Sequence, residues 1–137
     1  MFKKLIVAIA LIIGVSAVSI GASTEPALAK KATSAEQSGT FEGRSDHITT
    51  GGVSVVKLNT GYVVILEKDF SLDGAPAPTI GFGKDGAYDK AAEFSKLASK
   101  DGLQVYAVPA NINPADFNEF YIWCSQFDVP LGVAALK

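Results

Sequence analysis

Val53-Ser54-Val55-Val56-Lys57-Leu58-Asn59-Thr60-Gly61-Tyr62-Val63-Val64-Ile65-Leu66 decides the fold class. Two runs rich in β-branched residues flank Asn59-Thr60-Gly61, a short turn that contains Asn and Gly. That pattern predicts a β-hairpin. Beyond the hairpin, Thr79-Ile80-Gly81-Phe82 reads as a shorter strand after a Pro- and Gly-rich turn. Leu103-Gln104-Val105-Tyr106-Ala107-Val108 alternates and is stopped by Pro109. Residues 120–124 and 132–136 complete the set of strands. Within residues 89–100, Ala91, Phe94, Leu97 and Ala98 recur at helical spacing and Asp101-Gly102 supplies a stop, which predicts a short surface helix. Asn113-Pro114-Ala115-Asp116 reads as a cap followed by proline at a first helical position, so one further helical turn is expected there. Together these elements predict a mainly β domain, an antiparallel β-sandwich with one short helix.

Before the hairpin the chain changes character. Lys3 and Lys4 precede an almost unbroken apolar run over residues 5–20, and Ala27-Leu28-Ala29 offers small residues where a signal peptidase cuts. Residues 1–29 are therefore expected to be a signal peptide. The alternative is an uncleaved anchor, because the run approaches the length of a membrane span. Residues 30–39 are small and polar and read as a flexible linker, with order beginning near Thr40-Phe41 and a single domain over 40–137. The expected destination is secreted or periplasmic, with no membrane insertion once the signal is removed.

Charge excludes some partners. Loss of Lys3, Lys4 and Glu25 with the signal leaves ten Lys and Arg of the original 12 against thirteen Asp and Glu of 14, a net charge near −3. A nucleic-acid binder needs a concentrated basic face, and so does a protein held on an anionic membrane. Neither fits. With one cysteine and one histidine, soft metal ligands are scarce, the Asp-rich turns lack EF-hand spacing, and no metal site is expected.

The candidates for chemistry are consequently few. Cys124 is the single cysteine and stands beside the single tryptophan, Trp123. A strand over 120–124 puts Ile122 and Cys124 on one face and Trp123 on the other. Cys124 then either packs as a small apolar core residue or serves as a reactive thiol, which needs partial exposure and an activating group from a distant segment. An odd cysteine also permits a disulfide-linked dimer of an otherwise monomeric domain. His47 is the one imidazole: either a histidine hydrogen-bonded at a strand end, or a partner for Cys124 as a base or as a ligand to haem iron. Asp46 is adjacent, but neighbours on a strand point to opposite sides. Trp123 and Tyr121 read as packing partners, with Trp123 alternatively a stacking wall for a planar cofactor.

The segment Ile122-Trp123-Cys124-Ser125-Gln126-Phe127-Asp128-Val129, continuing into Gly132-Val133-Ala134-Ala135-Leu136, resembles the carboxy-terminal signature of the DM-thirteen electron-transfer domain family, which is often found beside DOMON domains. Other segments resemble that family in the same order: residues 43–52 with His47, Asp69-Phe70 followed by Gly74-Ala75-Pro76, and residues 102–109. The similarity spans about 39–136. One departure is visible, since family members often carry an aspartate between the two prolines where this chain has Ala77. The resemblance implies an exported electron-transfer or accessory domain, in place of a stand-alone enzyme, that serves a redox partner protein. It implies that Cys124 acts as a free thiol or binds a group such as haem, with His47 as the second participant. The competing class is a non-catalytic binding module whose Cys124 is structural.

Overall fold

The computed structural model describes residues 35–137; the expected signal peptide and residues 30–34 of the expected linker lie outside them. Among the described residues ten strands form: β1 (Gln37–Gly43), β2 (Thr49–Thr50), β3 (Gly52–Leu58), β4 (Gly61–Leu66), β5 (Ser71–Leu72), β6 (Pro78–Lys84), β7 (Ala87–Lys96), β8 (Gln104–Ala107), β9 (Glu119–Cys124) and β10 (Val129–Ala135). Eight of them make one antiparallel sheet in the order β7-β6-β9-β10-β1-β3-β4-β8, while β2 and β5 pair separately. The predicted hairpin is β3–β4, with Leu58 opposite Gly61 across a two-residue turn.

The sheet curls because β1 changes partners along its length. Residues 37–40 of β1 pair with β3, and Phe41, Glu42 and Gly43 pair with β10. Both halves of the sheet turn their apolar side chains to one core, which contains Val55, Leu66, Ile80, Phe82, Phe120 and Cys124. Phe120 is fully buried and meets Phe82 edge-on at a ring separation of 5.1 Å. Such an aromatic pair contributes about 0.5–1.5 kcal/mol beyond the area it buries. The expected β-sandwich is thus realised as a curled eight-stranded antiparallel sheet, with the β2–β5 pair as a separate ribbon.

Two expectations are corrected. Residues 89–100 form no helix: strand β7 runs through most of them and pairs with β6. Five steps along β6, from Thr79 to Lys84, are matched by nine along β7, from Lys96 to Ala87, with register shifts between. The extra residues bulge out and break the two-residue period, so the inward residues Ala92 and Phe94 stand among others that mimic helical spacing. Pairing with β6 satisfies backbone groups that an isolated short helix would have to satisfy alone. The sole helical piece among the described residues is the 3₁₀ turn Pro114–Asp116, capped by the Asn113 side chain as expected.

The second correction concerns the start of order. β1 begins at Gln37, and the Glu36 amide donates to the Val55 carbonyl at 2.8 Å. Residues 37–39, read as linker, are strand. A ladder needs backbone groups, not apolar side chains, so small polar residues suffice to cover the flank of β3.

Candidate functional site

Strand β9 places the signature residues by simple alternation. Phe120, Ile122 and Cys124 point into the core, while Tyr121 and Trp123 project from the opposite face. Cys124 is 1% exposed, and its thiol donates to the Pro76 carbonyl at 3.3 Å. The next residue reinforces that contact, since both the amide and the hydroxyl of Ser125 donate to the Ala77 carbonyl, at 3.3 and 2.9 Å. The loop of residues 73–77 is therefore seated on the end of β9.

His47 sits at the other end of the same loop. Its Nδ1 lies 2.9 Å from Asp73 Oδ1, and Asp73 Oδ2 accepts the Ile48 amide at 3.1 Å. The Asp73 amide in turn donates to the Ile48 carbonyl. The ring is thus oriented by Asp73, and not by the adjacent Asp46. The hydrogen bond from His47 holds the Asp73 carboxyl below its ordinary range, with the Ile48 amide adding to the effect. His47 and Cys124 have different polar partners and no hydrogen bond joins them. What they share is the loop, through Asp73 and Pro76.

These positions do not suit joint ligation of haem. The sulfur is enclosed, and its hydrogen is engaged by a carbonyl. Three concavities of the described surface lie elsewhere: between β1 and β10 beside Glu42 and Arg44, beside Tyr62 and Ile112, and beside Asp89 and Phe117. Neither His47 nor Cys124 lines them. No group of three or more His, Cys, Asp or Glu side chains able to hold a metal occurs among the described residues.

The outward face of β9 is more elaborate than packing partners alone would require. Trp123 is half-buried, stacked on Tyr88 of β7 at 4.2 Å between ring centroids and 11° between planes. Tyr121 completes a trio, 5.1 Å from Tyr88 and 6.1 Å from Trp123. β6 runs between β7 and β9, and its outward positions there are Gly81 and Gly83. A Cβ on Gly83 would stand 2.4 Å from the Tyr121 ring, and one on Gly81 would stand 2.7 Å from the Tyr88 hydroxyl. The two glycines create the trough in which the rings meet.

Each ring has a carboxylate near its polar end. Trp123 Nε1 donates to Asp128 Oδ1 at 3.2 Å, and Tyr121 donates to Glu119 Oε1 at 3.0 Å. Asp128 also pairs with Lys90 at 2.6 Å, and this contact first, then the indole N–H, holds its carboxyl below the ordinary value. Burial, then the Glu119 bond, pushes Tyr121 up to about 12. Tyr88 is also raised, by burial and then by the Glu93 charge; its hydroxyl and Glu93 Oε2 are both buried without a hydrogen-bond partner among the described residues. Sequence reasoning counted Asp73 only among the Asp-rich turns and Asp128 only within the signature segment, and it missed Tyr88 and Glu119. The signal that could have found the trio is the spacing of Gly81 and Gly83, which bares one face of a strand.

Comparison with curated proteins found none that matches, and comparison with solved structures likewise found none. A family model described as electron transfer DM13 matches residues 40–136, nearly all of the described domain and the whole of β9 and β10, and the chain belongs to that family.

Proposed function

We propose that this protein is an exported electron-transfer domain in which Cys124 is the redox group and the loop of residues 73–77 governs access to it. The observation that carries this reading is the attachment of one loop to both candidate residues, by Asp73 to His47 and by Pro76 to Cys124. The family's electron-transfer role supports it, and export is supported by the basic, then apolar, then small-residue order of residues 1–29. When the loop lifts, the thiol gives one electron to a one-electron acceptor protein and its proton to the water admitted. Release of the His47–Asp73 contact is the local event that frees the loop, which places His47 as a positioning residue.

The competing reading, a binding module whose cysteine only packs, is favoured by the 1% exposure of Cys124. Labelling of the folded protein with a maleimide separates the two. Under the redox reading, labelling proceeds under native conditions at a rate that saturates with probe concentration, and it accelerates in Asp73→Asn. Labelling that appears only at denaturant concentrations that unfold the domain would sink the redox role of Cys124.

A further inference from the structure

The trough over Gly81 and Gly83 holds three oxidisable rings in mutual contact, and the thiol reading makes no use of them. Aromatic side chains laid over strand glycines are a known way of covering exposed backbone. Cover alone, however, calls for apolar rings. The buried aromatic residues of the core cluster are phenylalanines, Phe41, Phe70, Phe82 and Phe120, whereas the trough uses one tryptophan and two tyrosines. Two of the three polar tips are bonded to a carboxylate, and the third shares its buried space with Glu93.

We propose that Trp123, Tyr88 and Tyr121 form a one-electron relay that ends at the Tyr121–Glu119 pair. The half-buried Trp123 is the entry point. It loses one electron to a one-electron oxidant docked at the surface, such as a metal centre of a partner protein, and that oxidant is reduced. The Asp128 carboxylate 3.2 Å from Nε1 stabilises the indole cation so formed. An electron from Tyr121 then refills the indole, directly or through the stacked Tyr88. As it leaves, the phenolic O–H bond breaks and the proton passes to Glu119 Oε1, 3.0 Å away. The products are a neutral phenoxyl group on Tyr121, a carboxylic acid on Glu119 and an intact Trp123. A one-electron donor reverses the last step, and Glu119 returns the proton.

The assignment of roles follows from the hydrogen bonds. A phenol oxidised without an acceptor for its proton would become a cation buried in the sheet face, at high cost. Tyr121 has an acceptor in place. The Tyr88 hydroxyl makes no hydrogen bond among the described residues, so its proton is not already aimed at the neighbouring Glu93 carboxylate, which makes Tyr88 the bridging ring and Tyr121 the terminus. This relay extends the electron-transfer reading above but needs no step at Cys124.

Pulse radiolysis with the azide radical, which oxidises indole in preference to phenol, tests it on the folded protein. The chain has one tryptophan and four tyrosines, so Tyr62→Phe and Tyr106→Phe provide a background in which only the two trough tyrosines remain. The indole radical should decay as a tyrosine radical appears, in a first-order process independent of protein concentration. Tyr121→Phe should abolish that conversion. Glu119→Gln, which keeps an acceptor oxygen for Tyr121 and for the Gly86 amide but is a far poorer base, should slow it on the order of a hundredfold. Cys124→Ser should leave the conversion unchanged, so that loss of the thiol role and loss of the relay are distinguishable. An unaltered rate in Tyr121→Phe or Glu119→Gln proteins of native circular dichroism, a concentration-dependent rate, or loss of conversion in Cys124→Ser would each overturn the relay.

Discussion

Trp123 on β9 and Tyr88 on β7 lie face to face at 4.2 Å although their strands do not pair with each other. Their contact depends on the intervening strand having no side chain between them. Gly81 and Gly83 therefore act as structural determinants of the trough, and they are more sensitive to substitution than an exposed strand face would suggest.

Gly83→Ala tests that dependence. The added methyl would stand 2.4 Å from both the Ala87 carbonyl oxygen and the Tyr121 ring, so backbone and ring must both shift. Overpacking of this kind costs about 1–3 kcal/mol. Urea denaturation should show a lower midpoint, and the fluorescence of the single tryptophan should change as the stack opens. A variant as stable as the parent, with the same emission, would show that the trough tolerates a wider β6.

Ala77 offers a change in the opposite direction. It lies in the loop seated on Cys124 and has φ +47°, a conformation that costs an alanine about 1–2 kcal/mol and that Asn and Asp tolerate better. Ala77→Asn should raise the thermal midpoint by an amount corresponding to roughly 0.5–1 kcal/mol, and it should slow native-state labelling of Cys124 by holding the loop down. A lower midpoint would remove the conformational explanation.

Asp73 predicts an acid dependence. Its folded-state pKa is depressed below the ordinary aspartate value, chiefly by the hydrogen bond with His47. The associated stability is fully present above the unfolded value and disappears as pH falls through the lower folded value. Stability measured from pH 5 downward should therefore decline less steeply in Asp73→Asn than in the parent. Parallel acid limbs for the two proteins would show that the His47–Asp73 contact contributes nothing to the folded state.

The legible parts of this chain are those set by near neighbours. The β3–β4 hairpin follows from two β-branched runs and a two-residue turn, and the inward placement of Cys124 follows from alternation along a six-residue strand. The 3₁₀ turn follows from Asn113 and Pro114, which act within one turn. Residues 89–100 were misleading because bulges against β6 carry no local mark in the sequence; the spacing of Ala91, Phe94 and Leu97 fits a helix as well as it fits a distorted strand.

The fold class, the single thiol and the family are all legible in the order of the amino acids. The surroundings of that thiol emerge only once the strands have assembled. Pro76 closes over Cys124, Asp73 takes His47, and Tyr88 meets Trp123 across a strand of glycines. Each of these contacts joins residues far apart in the chain, and depends on strand order and register that no local pattern encodes. Backbone pairing sets that register, and only then do the side chains acquire neighbours.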